Sequence, residues 1–256
     1  PLTGDGSDDG GAFGSNASSA NETGIEHFAN GWYRVWFSAT AQTTNSTPFY
    51  IGINTLSTVA GDFNNKFGVW GMQVEEGYFP TSYIPTTSST VYRSPDQVEI
   101  IGQDFANFYN QSEGSWLAVE DVRYMNVAIT LNRVDTLHIE SSTQNNDYHV
   151  GVNSVGSADV IYLYTQEMGV AEANMTRPIS GSRDHKWAFR YAPNNFALAV
   201  RGSSINADTS AMPSTVDRVF IGGRSAFGQM QNGRISKIAY YRKALSNENL
   251  EALVED

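Results

Sequence analysis

The chain has 256 residues, of which 40% are hydrophobic and 12% aromatic. That is enough apolar material for a buried core and excludes wholesale disorder. The formal net charge is -11, and no basic run or basic amphipathic helix is present, which disfavours a phosphate backbone or an anionic membrane surface as partner. There is no cysteine, so disulfides, thiolate metal sites and a cysteine nucleophile are excluded. That composition suits a chain made in a reducing bacterial cytoplasm.

Residues 1–30 are dominated by Gly, Ser, Asp and Asn with no apolar period and read as a flexible arm. Asp5, Asp8 and Asp9 among the glycines make Ca²⁺ a possible cofactor, although their spacing misses the EF-hand pattern. The chain begins at Pro1 rather than Met, so a longer precursor is an open expectation. No signal peptide is visible, and no apolar stretch reaches the ~20 residues of a membrane helix.

From residue 31 the pattern changes. WYRVWFSAT alternates, with Tyr33, Val35, Phe37 and Ala39 on one face, which predicts a half-buried strand. Strands are also expected at 48–54 and 66–77. Residues 78–95 carry three prolines and many hydroxyls and read as an extended connector, not a central strand. A domain boundary is placed near residue 95, leaving 31–95 as a partial sandwich.

Residues 96–256 read as strand after strand: 98–102, 113–122, 126–132, 136–141, 147–153, 159–166, 185–192, 196–202, 217–223 and 233–243. Turn residues separate them, as in QNND, NSVGS, APNN and QNG. This spacing predicts an all-β, antiparallel β-sandwich of the jelly-roll kind. Trp116, Trp187, Phe189 and Phe196 read as core. One short C-terminal helix is expected, with Ser246 as N-cap and Leu245 and Leu250 as a hydrophobic staple.

Two stretches resemble known families. ANGWYRVWFSATA (29–41) and WGMQVEEGYFPTSYIPTTSSTVYRSPDQVEI (70–100) resemble the end of carbohydrate-binding-module-like jelly-roll segments of phage tail and virion proteins. Trp70, Gly71, Gln73, Glu75, Glu76, Gly77, Thr81, Ser82, Tyr83, Ile84, Pro85 and Thr86 carry that match. The early strands of such a jelly roll have no counterpart before residue 30, so completion by further residues or by another subunit is expected. Over about 98–256, DFANFYNQSEGSW (104–116), HKWAFRYAPNNFALAVRG (185–202), FIGGR (220–224) and NGRISKIAYYRKALSNENL (232–250) resemble concanavalin A-like, laminin-G-type domains of phage particles. The resemblance implies a virion-surface protein, a tail fibre, spike or head fibre. Its expected partners are a host-surface glycan and other virion subunits, with a homo-trimer as the expected oligomer. No nucleic acid and no membrane insertion is expected. A structural or capsid-decoration role is the alternative.

Glucanases share the sandwich and need an E-x-D-x-x-E strand, so that alternation puts three carboxylates on one face. Here Glu120 and Asp121 are adjacent and face opposite sides of a strand, and Glu99 and Asp104 have nothing between them. No enzyme activity is expected, with a glycoside hydrolase as a remote alternative. His27, His138, His149 and His185 show no metal-ligand spacing, and His138 reads as lying on the polar face of a strand. Sugar recognition needs aromatic faces with hydroxyl-binding polar groups. The candidates are Tyr162 and Tyr164 on one strand face, Asp147 and Tyr148, Arg183 and Asp184, and Asn194.

Overall fold

The computed structural model describes residues 17–41, 68–75, 80–92, 98–122, 133–155, 158–179, 184–223, 231 and 233–255. The expected strands at 48–54 and 126–132 and the acidic residues of the first 16 positions lie outside the described residues. The chain divides into two compact units, Pro1–Tyr92 and Arg93–Asp256.

In the first unit, strand β1 (Ala17–His27) pairs antiparallel with β2 (Tyr33–Ala41). The stretch read as a structureless arm therefore contains a strand. Its Gly24 is the reason for one close approach: a Cβ there would lie 2.5 Å from the Trp36 ring. On the β2 face that carries Tyr33, Val35 and Phe37, Val35 and Phe37 are exposed. Residues 68–75, expected within a third strand, are not in a strand. They form a side-chain clasp with 81–84. The Gln73 carboxamide oxygen accepts from Ile84 N at 2.8 Å, the Glu75 carboxylate accepts from Thr81 N at 2.7 Å, and Trp70 lies on Tyr83 with ring centroids 4.8 Å apart. Gly71, at φ 69°, carries the turn under the Tyr83 ring. The conspicuous sequence motif of residues 70–84 is thus made of side chains that hold each other.

The second unit is a two-sheet antiparallel sandwich. Its strands are β3 (Val98–Ile101), β4 (Gly114–Val122), β5 (Arg133–Glu140), β6 (Asp147–Val155), β7 (Ala158–Glu167), β8 (Val170–Pro178), β9 (Asp184–Tyr191), β10 (Phe196–Val200), β11 (Ser203–Asp208), β12 (Arg218–Ile221) and β13 (Gly233–Tyr241). One sheet has the order β11-β10-β9-β4-β13, the other β3-β12-β5-β6-β7-β8. Alternation aims Leu137, Ile139, Tyr148, Val150, Ile161 and Leu163 of the second sheet against Trp116, Trp187, Phe189, Phe196 and Leu198 of the first. The aromatic residues expected as core are core. At the sheet edges, Arg177 of β8 donates to the carbonyl of Ile205 in β11 at 2.7 Å, and Ser203 donates to the carbonyl of Pro178 at 3.0 Å.

Helix α1 (Gly102–Phe108) buries Phe105, which stacks on Tyr109. Tyr109 in turn stacks on Tyr191 and Tyr240. Helix α2 (Asn247–Glu255) begins as its sequence predicts: Ser246 Oγ accepts from Asn249 N at 3.2 Å, and Leu245 and Leu250 pack in a second cluster against the outer side of the five-stranded sheet. Besides β1, two strands of the second unit, β8 and β11, and helix α1 escaped the sequence reading. VAEANMTRP and SSINAD are polar edge segments whose pairing, not their apolar content, makes them strands.

A buried carboxyl interrupts the core. Glu120 of β4 is buried and accepts from Thr136 Oγ1, from Trp187 Nε1 at 2.7 Å and from Gln231 Nε2 at 3.0 Å. Burial outweighs these donors and pushes its carboxyl up from 4.5 to about 7. A carboxyl whose folded pKa is raised stabilises the fold while protonated. That contribution is full below pH 4.5 and is lost as pH rises through about 7, a span worth about 3 kcal/mol. Urea titrations across pH 4.5–6.5, below the range in which the raised His149 titrates, should therefore show this decline, and Glu120→Gln should flatten it there and raise stability at pH 8 by about 1–3 kcal/mol. An unchanged slope in the variant would show that Glu120 is not the titrating group.

Candidate functional site

The outer face of the six-stranded sheet is polar, and its register arranges it in rows. Asp135, Gly151, Tyr162 and Thr176 pair across β5 to β8 in one row. Phe220, His138, His149, Tyr164 and Asn174 form the next. Glu140, Asp147 and Gln166 form a third. Exposure grows along the rows: Asp135, His138, Glu140, Asp147, His149 and Tyr162 are buried, Tyr164 and Gln166 are half-buried, and Asn174 and Thr176 are exposed.

A bulge creates this face. Between Asp135 and Leu137 the β5–β6 register shifts, and Thr136 is the extra residue. In a regular strand, residues three apart point to opposite sides. The inserted residue instead returns Asp135 and His138 to the same outer face, while Thr136 reaches inward to Glu120. Gly151 lies opposite the bulge, where an added Cβ would be 2.0 Å from the Val134 carbonyl oxygen. Only a residue without a side chain lets β5 and β6 approach there.

The buried end of the rows is a network of imidazoles and carboxyl groups. Asp135 Oδ2 lies 2.8 Å from His149 Nδ1 and 3.5 Å from His138 Nδ1. His149 Nε2 lies 3.3 Å from Asp147 Oδ2, and His138 Nε2 lies 3.2 Å from Glu140 Oε2. Tyr162 donates its hydroxyl to Asp135 Oδ1. Gln166 Nε2 donates to Asp147 Oδ2 at 2.7 Å, joining the buried end to the open one. Burial works to raise the Asp135 carboxyl and to lower His149. The hydrogen bonds and charges between them win, holding Asp135 below its ordinary value and pushing His149, also flanked by Asp147, up to about 9.

Of the residues proposed from sequence for sugar recognition, Asp147, Tyr162 and Tyr164 share this face, with Tyr164 the most open of the three. Tyr148 does not belong with them. Alternation turns it inward, where it is fully buried in the inter-sheet core and its hydroxyl accepts from Ser214 N at 2.7 Å. Asn194 lies elsewhere, in the β9–β10 turn of the other sheet with φ 56°. Arg183 and the Asp184 side chain lie outside the described residues. His138 does occupy the polar face of its strand, but as a buried group. The sequence reading missed the association of Asp135, His138 and His149, because D-x-x-H is not a same-face pattern in a regular strand.

Tyr162→Phe would leave the buried Asp135 Oδ1 without its donor. The expected cost is about 1–3 kcal/mol in urea unfolding at pH 7, and a loss under 0.5 kcal/mol, roughly the scatter for neutral surface changes, would rule out a strong bond.

No family model matches the chain, and no curated protein matches it. Among solved structures it is similar to domains LG4-5 of the mouse laminin alpha1 chain, at 8% identity and TM-score 0.42, over 60% of this chain and 41% of that one. It is similar to a heptameric SAP-like pentraxin from Limulus polyphemus at 12% identity and TM-score 0.45, over 65% of this chain and 78% of that one. It is also similar to the carbohydrate-binding module CBM66 from Bacillus subtilis at 11% identity and TM-score 0.36, over 58% of this chain and 84% of that one. This chain thus spans 41% of the length of the laminin fragment.

Proposed function

We propose that this chain is a non-enzymatic surface protein of a phage particle, a tail fibre, spike or head fibre, whose C-terminal sandwich recognises host-surface carbohydrate. The observation that carries the recognition is the open end of the polar sheet face. Tyr164 offers a half-buried ring, flanked by Gln166, Asn174 and Thr176, whose side chains bond to hydroxyls. An aromatic face with convergent polar groups is what a sugar ring requires. The sequence resemblance of residues 70–100 supports the assignment to a phage particle. Glu120, the acid nearest to a glucanase pattern, is buried between the sheets among Trp187, Thr136 and Gln231, away from the open face.

A second reading, assembly with other copies of the chain, is favoured by the first unit. Among the described residues its sheet has two strands, which is marginal alone, and Trp32, Val35, Trp70 and Val74 are half to four-fifths exposed there. Burial of such apolar residues against other copies would stabilise the unit.

A glycan array probed with the full chain should give specific signals, and Tyr164→Ala should weaken them at least about 10-fold, as expected for a lost stacking contact of ~1–2 kcal/mol. A blank array with a folded chain overturns the carbohydrate reading. Bound oligosaccharides should stay intact on long incubation, and their cleavage overturns the non-enzymatic part. Light scattering after size exclusion should report an oligomer, with the trimer expected, whereas a monomer removes the assembly reading.

A further inference from the structure

The buried end of the same sheet face has a geometry that sugar recognition does not require. His138 and His149 turn the same ring nitrogen, Nδ1, toward one carboxylate oxygen, Asp135 Oδ2, at 3.5 and 2.8 Å. One potential ligand atom from each of the three residues lies within 4.8 Å of the others, and all three residues are buried. Ligands held at ~2.0–2.1 Å around a tetrahedral zinc ion stand ~3.3 Å apart. The triangle is therefore close to the size that such an ion imposes.

The opposite nitrogens add a second, independent feature. His138 Nε2 faces Glu140 Oε2 at 3.2 Å, and His149 Nε2 faces Asp147 Oδ2 at 3.3 Å. A histidine that gives one nitrogen to a metal commonly donates the other N–H to a carboxylate, which fixes its tautomer and ring orientation. Both histidines have a carboxylate oxygen within 3.3 Å of that second nitrogen. Tyr162, bonded to the other Asp135 oxygen, fixes the carboxylate as well.

We propose that Asp135, His138 and His149 form a binding site for a zinc-type divalent transition metal, with Glu140 and Asp147 orienting the two imidazoles. Two nitrogens and one oxygen suit zinc and its neighbours, whereas Ca²⁺ takes six to eight oxygens. Three protein ligands leave a fourth tetrahedral position for a water or ligand oxygen. The site goes beyond the carbohydrate reading and does not depend on it.

The test uses the full chain, stripped with a chelator, re-equilibrated with Zn²⁺ and dialysed. One equivalent of zinc should remain per chain, Tm should rise with zinc, and zinc X-ray absorption should fit two imidazoles per ion. Glu140→Gln keeps all three ligands and should weaken zinc binding roughly 10–100-fold, and His149→Gln should abolish stoichiometric binding. Absence of retained zinc overturns the proposal, as does a spectrum with fewer than two imidazoles or unchanged affinity in either variant. The absorption measurement needs no variant, so failure of either to fold leaves the proposal falsifiable. Glycan binding is read separately on the array, so loss of one result does not imply loss of the other.

Discussion

The bulge at Thr136 is the constraint on which both polar clusters of the sandwich depend. One extra residue in β5 turns Thr136 inward onto Glu120 and sets Asp135 and His138 side by side on the outer face. Without it, strict alternation would send one of the latter two into the apolar core. The bulge needs Gly151 opposite, because any Cβ there meets the Val134 carbonyl. A backbone irregularity in one strand thereby links the inter-sheet core to the polar surface.

The two polar clusters differ in how they are neutralised. Glu120 is a single carboxyl among neutral donors, so burial dominates and raises its pKa to about 7. Asp135 is buried as deeply but lies between two imidazoles, and their hydrogen bonds and charges reverse the direction. Buried charge is tolerated where it is paired, and the pairs run along and diagonally between β5 and β6: His138 with Glu140, His149 with Asp147, and Asp135 with both imidazoles. The same rows run outward to Tyr164, Asn174 and Thr176. A charge-paired base thus lies beneath an open row of polar and aromatic side chains.

The first unit is organised on a different principle. Its recognisable motif is a clasp of side chains onto backbone: Gln73 to Ile84, Glu75 to Thr81, and Trp70 over Tyr83. Such a motif reads clearly in sequence because each residue has a fixed local partner. The apolar residues of β2 read less well. Alternation puts Val35 and Phe37 on one face, and both are exposed, since a period-two pattern says which residues share a face and not what covers it.

The amino-acid sequence by itself determined the all-β class, most strands of the sandwich, its aromatic core and the capped C-terminal helix. These follow from period-two alternation, turn residues and local capping, all of which are written in neighbouring positions. The sequence also placed Tyr162 and Tyr164 on one face and separated Glu120 from Asp121. Tertiary structure alone decided the rest. Tyr148 sits inside because its strand's register puts it there, and β8 and β11 are strands because edges of the two sheets accept them. Asp135, His138 and His149 come together through a bulge and a cross-strand pairing, and neither leaves a mark in the spacing of the residues that meet.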